Sequence, residues 1–246
     1  MASRFVGMTF LVTGSSKGIG LATALVLAGE GARVLRVARG KSALEETRGL
    51  FTSSEVVDFA LDATNPEAVR DWAGSIVSGK ISGAAFCAGT HMIRPARLSA
   101  AAHYRSVFDA NVISVTNFVP FLIKNAAEKA SMVLVGSATV NRGAAAVSAY
   151  ASAKSALIGL TRSLAAELAP SIRVNMVSPG VVQTEMTERF FKSLGEKNAL
   201  SVLSHHPLGL GSPQDVARAI GFLLSPDSAW ITGANLVVDG GYSINA

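Results

Sequence analysis

The sequence predicts one doubly wound α/β domain, a parallel sheet of about seven strands with helices on both faces. Three observations carry this. Short apolar runs alternate with helical segments along the whole chain, the pattern of a sheet whose strands are covered on both sides. The first apolar run, Met8-Thr9-Phe10-Leu11-Val12, leads through the turn Thr13-Gly14-Ser15-Ser16-Lys17-Gly18-Ile19-Gly20 into an Ala/Leu-rich helix. No linker, repeat or compositional break divides the 246 residues, so residues 1–246 read as a single domain.

The elements follow in order. The first helix covers residues 21–29, and residues 33–37 read as the second strand. A short helix over 42–49 starts at a capping Ser42, with Glu45 three positions on, and stops at Gly49. Residues 55–59 form the third strand. Asn65-Pro66 opens the next helix, with the cap at Asn65 and Pro66 in the first helical position. A fourth strand spans 83–87, a long helical region 99–128 and a fifth strand 132–135. A second long helix runs from 148 to 168 and is stopped by Pro170. Residues 172–177 are the sixth strand. A variable stretch over 184–211 precedes a helix opened by Ser212-Pro213 and a last strand at 235–238.

Composition narrows the function. The chain is 49% hydrophobic and 16% charged, with mean hydropathy +0.38. The longest apolar candidate, residues 111–123, contains Asn111, Asn117 and Pro120 and falls short of the roughly 18 residues of a span. No membrane segment is expected. The surplus apolar surface goes into the doubly covered sheet and subunit contacts. The net charge is +5, but no two basic residues are adjacent and aromatics do not interleave with them, so a nucleic-acid groove is not expected. The single Cys87 excludes an intrachain disulfide and a cysteine zinc site, and its apolar neighbours predict a buried thiol. The polar start, Met1 to Val6, is too short for a signal peptide before the first strand, so the expected location is cytoplasmic.

Strand, glycine turn and helix form the setting in which a glycine-rich loop can hold a diphosphate. Glycines let a phosphate approach the backbone, and the free N–H groups of the helix start face it. In a doubly wound sheet the ligand sits beyond the carboxyl ends of the strands, which directs attention to residues from Thr13 onward, Arg39, Asp62, Ala88-Gly89, Ser137 and Pro179-Gly180. About 20 residues beyond such a loop an acidic residue would accept from a ribose 2′-hydroxyl. Here Ala38-Arg39-Gly40 stands after the second strand. Arg39 suits a 2′-phosphate, and Lys17 in the loop adds a second cation. The expected cofactor is NADP(H). Asp62 either accepts from the adenine amino group or caps the turn near Asn65.

Tyr150-Ala151-Ser152-Ala153-Lys154 opens the second long helix. Positions i and i+4 share a helix face, so the Lys154 ammonium is expected to stabilise the Tyr150 phenolate and lower its pKa, as proton transfer requires. Ser137, after the fifth strand, can hydrogen-bond a substrate oxygen alongside Tyr150. Asn111 lies inside the long helix, where a buried amide needs partners.

Together, Thr13-Gly14-x-x-x-Gly18-Ile19-Gly20, Asn111, Ser137, Tyr150-x-x-x-Lys154 and Pro179-Gly180 resemble the short-chain dehydrogenase/reductase family. The likeness is to its single-domain branch of 3-oxoacyl-carrier-protein reductases, ketoreductases and sugar or alcohol dehydrogenases. It covers essentially the whole chain, and the ending Trp230 to Gly241 is similar to that branch's last strand region. The resemblance implies that Tyr150 is the acid that protonates the alkoxide. Lys154 would hold the nicotinamide ribose, Ser137 orient the carbonyl and Asn111 hold a relay water. The cofactor would lie against Gly14, Ser16, Lys17, Gly18, Ile19, Gly20, Arg39, Asp62, Ala63, Ala88 and Gly89, with Pro179, Gly180, Val182 and Thr184 at the nicotinamide. It also implies a small carbonyl or alcohol substrate, in some members thioester-linked, and a homotetramer built on the two long helices.

Two departures stand out. Phe86-Cys87-Ala88-Gly89 occupies the place of the family's Asn-Asn-Ala-Gly, so the hydrogen bonds of that asparagine must be replaced. Asn125 to Lys129 lacks a clear basic patch for an acyl carrier protein. Residues 185–209 would form a substrate lid. Its His205-His206-Pro207 lacks acidic or cysteine partners at ligand spacing, so no metal is expected. Two other functions compete: an NADP-binding regulatory protein without turnover, against which the intact Ser137, Tyr150, Lys154 and Asn111 argue, and a nucleotide-sugar epimerase or dehydratase. The latter's larger C-terminal domain and G-x-x-G-x-x-G loop are missing here.

Overall fold

A computed structural model of the chain describes residues 3–52, 55–76, 80–194 and 202–244. β1 (Thr9–Thr13), β2 (Arg33–Ala38), β3 (Val56–Ala60), β4 (Ile81–Phe86), β5 (Ala126–Val135), β6 (Ile172–Pro179) and β7 (Asn235–Val238) form one seven-stranded sheet in the order β3-β2-β1-β4-β5-β6-β7. Every pairing is parallel. The chain starts in the middle, winds outward to β3, then crosses back to β4 and winds the other way. The crossover leaves a crevice beyond the carboxyl ends of β1 and β4, where such sheets take their ligands.

Between the strands lie α1 (Gly18–Gly29), α2 (Lys41–Arg48), α3 (Pro66–Ser75), α4 (Ala101–Asn125), α5 (Ser148–Leu168), α6 (Glu185–Leu194) and α7 (Pro213–Leu224). Side chains alternate across the pleat. Leu11, Leu35, Phe86 and Met176 face one layer with Trp72, Phe118 and Leu157. Phe10, Val12, Val34 and Val177 face the other with Leu27 and Ile220. Trp72 packs edge-on against Phe59, Phe118 and Phe121, the geometry that aromatic quadrupoles favour.

Side-chain caps fix two of the helix starts. Asn65 accepts from the Ala68 N–H at 3.0 Å with Pro66 at the first position of α3. Ser212 and Asp215 form a reciprocal capping box on α7. Ser42 does not cap α2. Gly40 holds that place without a side-chain bond, and Ser42 lies inside the helix.

The long helix is shorter than expected and is not uniform. Its end gives way at Ala126 to β5, where Ala126 pairs with Ile81 of β4. The register then jumps from Ile81↔Ala126 to Gly83↔Ser131, and Lys129 takes up the slack with φ +59°. Within α4, residues Asp109–Ile113 form a turn of π-helix with Asn111 at its centre. α4 has the length and hydropathy of a membrane span, but Val107, Val115, Phe118 and Leu122 bury its apolar face in the protein.

Phe118 is fully buried between Trp72 and Phe86. Phe118→Ala is expected to destabilise the fold by about 3–5 kcal/mol, while Leu50→Ala in the exposed turn after α2 changes it by less than about 1 kcal/mol. Denaturant midpoints of the two variants check this, and equal losses would refute the packing assignment.

Candidate active site

The turn after β1 is built for close approach. Gly14 has φ +66°, and a Cβ there would stand 2.8 Å from the backbone of Ala88. A Cβ on Gly20 would lie 2.2 Å from the Gly14 carbonyl oxygen. The turn is braced from behind by Arg36, which is fully buried in β2. Its Nη2 donates to the Ser15 carbonyl at 3.4 Å and to Thr47 Oγ1 at 2.5 Å. Nη1 pairs with Asp58 at 3.2 Å, and the guanidinium lies over the Phe51 ring. Burial holds the Arg36 pKa below its ordinary value, with Asp58 opposing.

Beyond this turn a cleft of about 460 Å³ is lined by Gly14, Ser16, Lys17, Gly18, Ile19 and Gly20 on one side. Arg39, Asp62, Ala63, Ala88 and Gly89 complete it. The cleft fits a dinucleotide: the α1 start has no side-chain cap, so its N–H groups are free for a diphosphate. Arg39 stands where expected, with no carboxylate beside it in β2. Asp62 caps its own turn: Oδ1 accepts from the Thr64 N–H and hydroxyl, both at 2.9 Å. The Thr64 N–H, against the pull of burial, holds the carboxyl below its usual range, helped by the Thr64 hydroxyl and Arg39. The helix cap falls to Asn65. Lys17 is not isolated. Its Nζ meets Glu185 Oε2 of α6 at 2.7 Å across the mouth of the cleft.

The cleft continues into a second cavity of about 280 Å³. Ser137, Tyr150, Lys154 and Asn111 all line it, with Pro179, Gly180, Val182 and Thr184. Ser137 Oγ accepts from the Thr139 hydroxyl at 2.9 Å and the Thr139 N–H at 3.3 Å, and its side chain is hydrogen-bonded to Tyr150. Lys154 is 5% exposed, and its Nζ donates to the Val135 carbonyl at 2.8 Å. Asn111 Nδ2 donates to Thr90 O at 3.0 Å and Val107 O at 2.8 Å. The π-turn aims this amide into the site, a common use of such turns. Its Oδ1 is buried with no partner among the described residues. A Cβ on Gly89 would lie 2.5 Å from that oxygen and 3.4 Å from Lys154 Nζ, so both groups converge there.

The electrostatics depart from the sequence expectation. Burial raises the Tyr150 pKa above its ordinary value, opposed by the Ser137 hydrogen bond. The ammonium meant to lower it is turned to Val135, 5.9 Å from the ring centre. Burial instead pulls Lys154 down to about 8. Cys87, half-buried rather than buried, lines both cavities, and desolvation pushes its thiol up to about 12. The missing asparagine tie is replaced in part by Thr13, whose Oγ1 accepts from the Ala88 N–H at 3.2 Å. Of the lid stretch, residues 195–201 lie outside the described residues; Met186, Thr187 and Val202 line the second cavity.

The lining residues that were not anticipated include His91, Thr139 and Tyr242. His91 sits edge-on to Tyr150 with ring centres 4.6 Å apart. Burial and the Lys154 charge hold it below its usual value. Its place just past the end of β4 was the available signal. Thr139 lies two residues beyond Ser137. Tyr242 arrives from the C-terminal tail and only tertiary structure reveals it.

A buried ammonium leaves a pH signature. Native Lys154 releases its proton near 8 and the unfolded lysine near 10.5. Between these values the unfolded state binds more protons, so stability rises with pH. Wild type is therefore expected to gain about 1–3 kcal/mol on Lys154→Met between about pH 7 and about pH 10. Denaturation across that range checks it, and a constant difference would refute the buried charge.

With this geometry in hand, known proteins can be compared. A family model described as enoyl-(acyl carrier protein) reductase matches residues 14–243. The chain is 32% identical over 241 residues to the 3-oxoacyl-acyl-carrier-protein reductase FabG of Vibrio cholerae, covering 96% of this chain and 97% of that protein. It is 35% identical over 250 residues to a chloroplastic tropinone reductase homolog of Arabidopsis thaliana, covering 97% and 76%. Its fold superimposes with a TM-score of 0.91 on a short-chain type dehydrogenase/reductase from Mycobacterium ulcerans, at 26% identity over 98% and 92% of the chains. The chain belongs to the short-chain dehydrogenase/reductase family, oxidoreductases that work with a nicotinamide dinucleotide.

Proposed function

We propose that this protein is an NADP(H)-dependent carbonyl reductase and alcohol dehydrogenase acting on a ketone, keto sugar or 3-oxoacyl thioester. One observation carries the reading: Ser137, Tyr150, Lys154 and Asn111 line a single cavity that opens into the glycine-turn cleft. When bound, the nicotinamide supplies or accepts the hydride. Gly14, Ser16, Lys17, Gly18, Ile19 and Gly20 would cradle the diphosphate, Arg39 the 2′-phosphate, and Asp62 and Ala63 the adenine side. Ala88, Gly89, Pro179, Gly180, Val182 and Thr184 would flank the riboses and nicotinamide.

Burial keeps Tyr150 in its protonated form, the form that can give a proton to a carbonyl oxygen as it becomes an alkoxide. Ser137 receives two bonds from Thr139, so its own proton is directed at Tyr150 and would turn to a carbonyl oxygen that arrives between the two hydroxyls. Lys154, depressed to about 8, is poised to pass protons at neutral pH. The unpartnered Asn111 Oδ1 is the acceptor for a water that links Lys154 to solvent. Val182, Val147, Ala138 and Ala144 give the cavity an apolar wall that excludes competing water. The protein is further read as a cytoplasmic homotetramer, with apolar surface available at Ile113 and Ile123 on α4.

NADPH consumption across β-ketoacyl thioesters, keto sugars and simple ketones tests the reading. Cofactor binding with no oxidation by any carbonyl would leave a regulatory protein instead. Tyr150→Phe is expected to lower kcat by about 10²–10⁴ while NADPH affinity stays within about twofold; unchanged turnover would remove Tyr150 from the chemistry. Arg39→Asp is expected to weaken NADPH binding by about 10- to 100-fold, the loss of one charge-assisted contact, and to favour NADH. An unchanged NADPH/NADH ratio in steady-state kinetics would overturn the 2′-phosphate role.

A further inference from the structure

The second of the two adjacent histidines is not among the residues lining the substrate cavity, yet it stands behind three that are. His206 is 5% exposed. Its Nε2 accepts from the Val181 N–H at 3.2 Å, and a ring nitrogen that accepts carries no proton. The ring proton is therefore assigned to Nδ1, which donates to the Val202 carbonyl at 2.8 Å. One face of the ring stacks on Tyr242, with centres 4.7 Å apart and planes 21° from parallel. Val181, Val202 and Tyr242 each line the cavity. They come from three different places: the loop after β6, the end of the lid and the C-terminal tail. The first of these loops also carries Val182 and Thr184, which face the cleft.

We propose that His206, as its neutral Nδ1–H tautomer, is a positioning residue that sets this three-part wall of the cavity that Tyr150 also lines. Both ring nitrogens are committed to backbone, which a metal ligand would not allow. Loss of the Nε2 acceptor would leave the Val181 N–H without this partner. The wall would then loosen on the side where the carbonyl must be held, and the adenosine end of the cleft would be untouched. The charged and titratable groups around the ring come from the lid, the tail and the loop after β5. Asp239, in the tail, accepts from the N–H groups of Gly241 and Ser243 and feels the His206 ring. His205 lies with its ring 6.5 Å from Tyr242. Arg142 lies 5.1 Å from the Tyr242 ring centre and donates to the Tyr242 carbonyl. The effect on the wall is independent of the reaction; its catalytic consequence rests on the hydride-transfer reading above.

The test uses the full chain as wild type, His206→Gln and His206→Phe. Gln keeps an acceptor for Val181 and does not titrate. Phe keeps the stack on Tyr242 and deletes both hydrogen bonds. Hydrogen exchange is read in peptides covering 179–187 and 202–209. The Gln variant is expected to keep wild-type protection in both peptides and the Phe variant to exchange quickly. In kinetics with NADPH, Phe is expected to lose about tenfold or more in kcat/KM for the carbonyl, the worth of about one hydrogen bond. KM for NADPH should stay within about twofold, and Gln should recover most of the loss. Equal protection in all three proteins, or wild-type kcat/KM in the Phe variant, overturns the proposal. Should Phe fail to fold, His206→Leu, which also deletes both hydrogen bonds, takes its place with the same outcomes. The exchange pattern without turnover of any carbonyl would support the positioning role and sink the hydride-transfer reading.

Discussion

The site depends on how closely β1 and β4 meet where they end. Thr13 pairs with Phe86 in register. One residue further on, the absent Gly14 side chain lets Ala88 come within van der Waals reach, and the Thr13 hydroxyl takes the Ala88 N–H. This seam is the point at which the sheet reverses its winding order. On one side, β2 and β3 deliver Arg39 and Asp62; on the other, β5 and β6 deliver Ser137 and the Pro179-Gly180 loop. Ile19, Cys87, Gly89, Thr90, Thr184 and Met186 line both cavities, so the two compartments form one continuous channel.

Two cations are buried beside this channel, and each is tolerated for a different reason. Arg36 meets a carboxylate, a hydroxyl, a carbonyl and an aromatic face. Its partners make it a brace, since removing one would strand a charge in the interior. Lys154 has the Val135 carbonyl and the convergent Asn111 amide close by. Its partners are too few to offset burial, so its affinity for a proton falls. Burial lowers the proton affinity of both, but a guanidinium starts so high that it stays charged, whereas the lysine comes down to about 8.

The alternation of strands and helices, the glycine turn and the Tyr150/Lys154 spacing were legible because they obey local rules: a period of two, a period of 3.6 and a glycine-rich turn between strand and helix. The errors fell where tertiary contacts overrule local preference. Residues 126–128 read as helix because alanine and glutamate favour it, but Ala126 pairs with Ile81 of β4 and the segment is strand. Asn111 was located, whereas the π-turn that aims it was not, because no residue pattern announces an extra residue in a helical turn. The direction of the Tyr150 shift was misjudged for a related reason. Spacing places Lys154 beside Tyr150, and only the fold reveals that the ammonium turns to Val135. Arg36 reads in sequence as one more basic residue in a strand. Its burial follows from three separate segments closing over it.

The bridge between Lys17 and Glu185 ties the glycine turn to α6 across the entrance of the channel. Both side chains are well exposed, and pairs of that kind hold by no more than about 1 kcal/mol. A ligand phosphate arriving at the turn competes for Lys17 with a doubly charged group against a single carboxylate. A bridge of that strength opens and closes thermally and is no lock. A phosphate held at the turn would take Lys17 from Glu185 at small cost, and the turn and α6 would then lose this tie while the rest of the channel wall stays as it is.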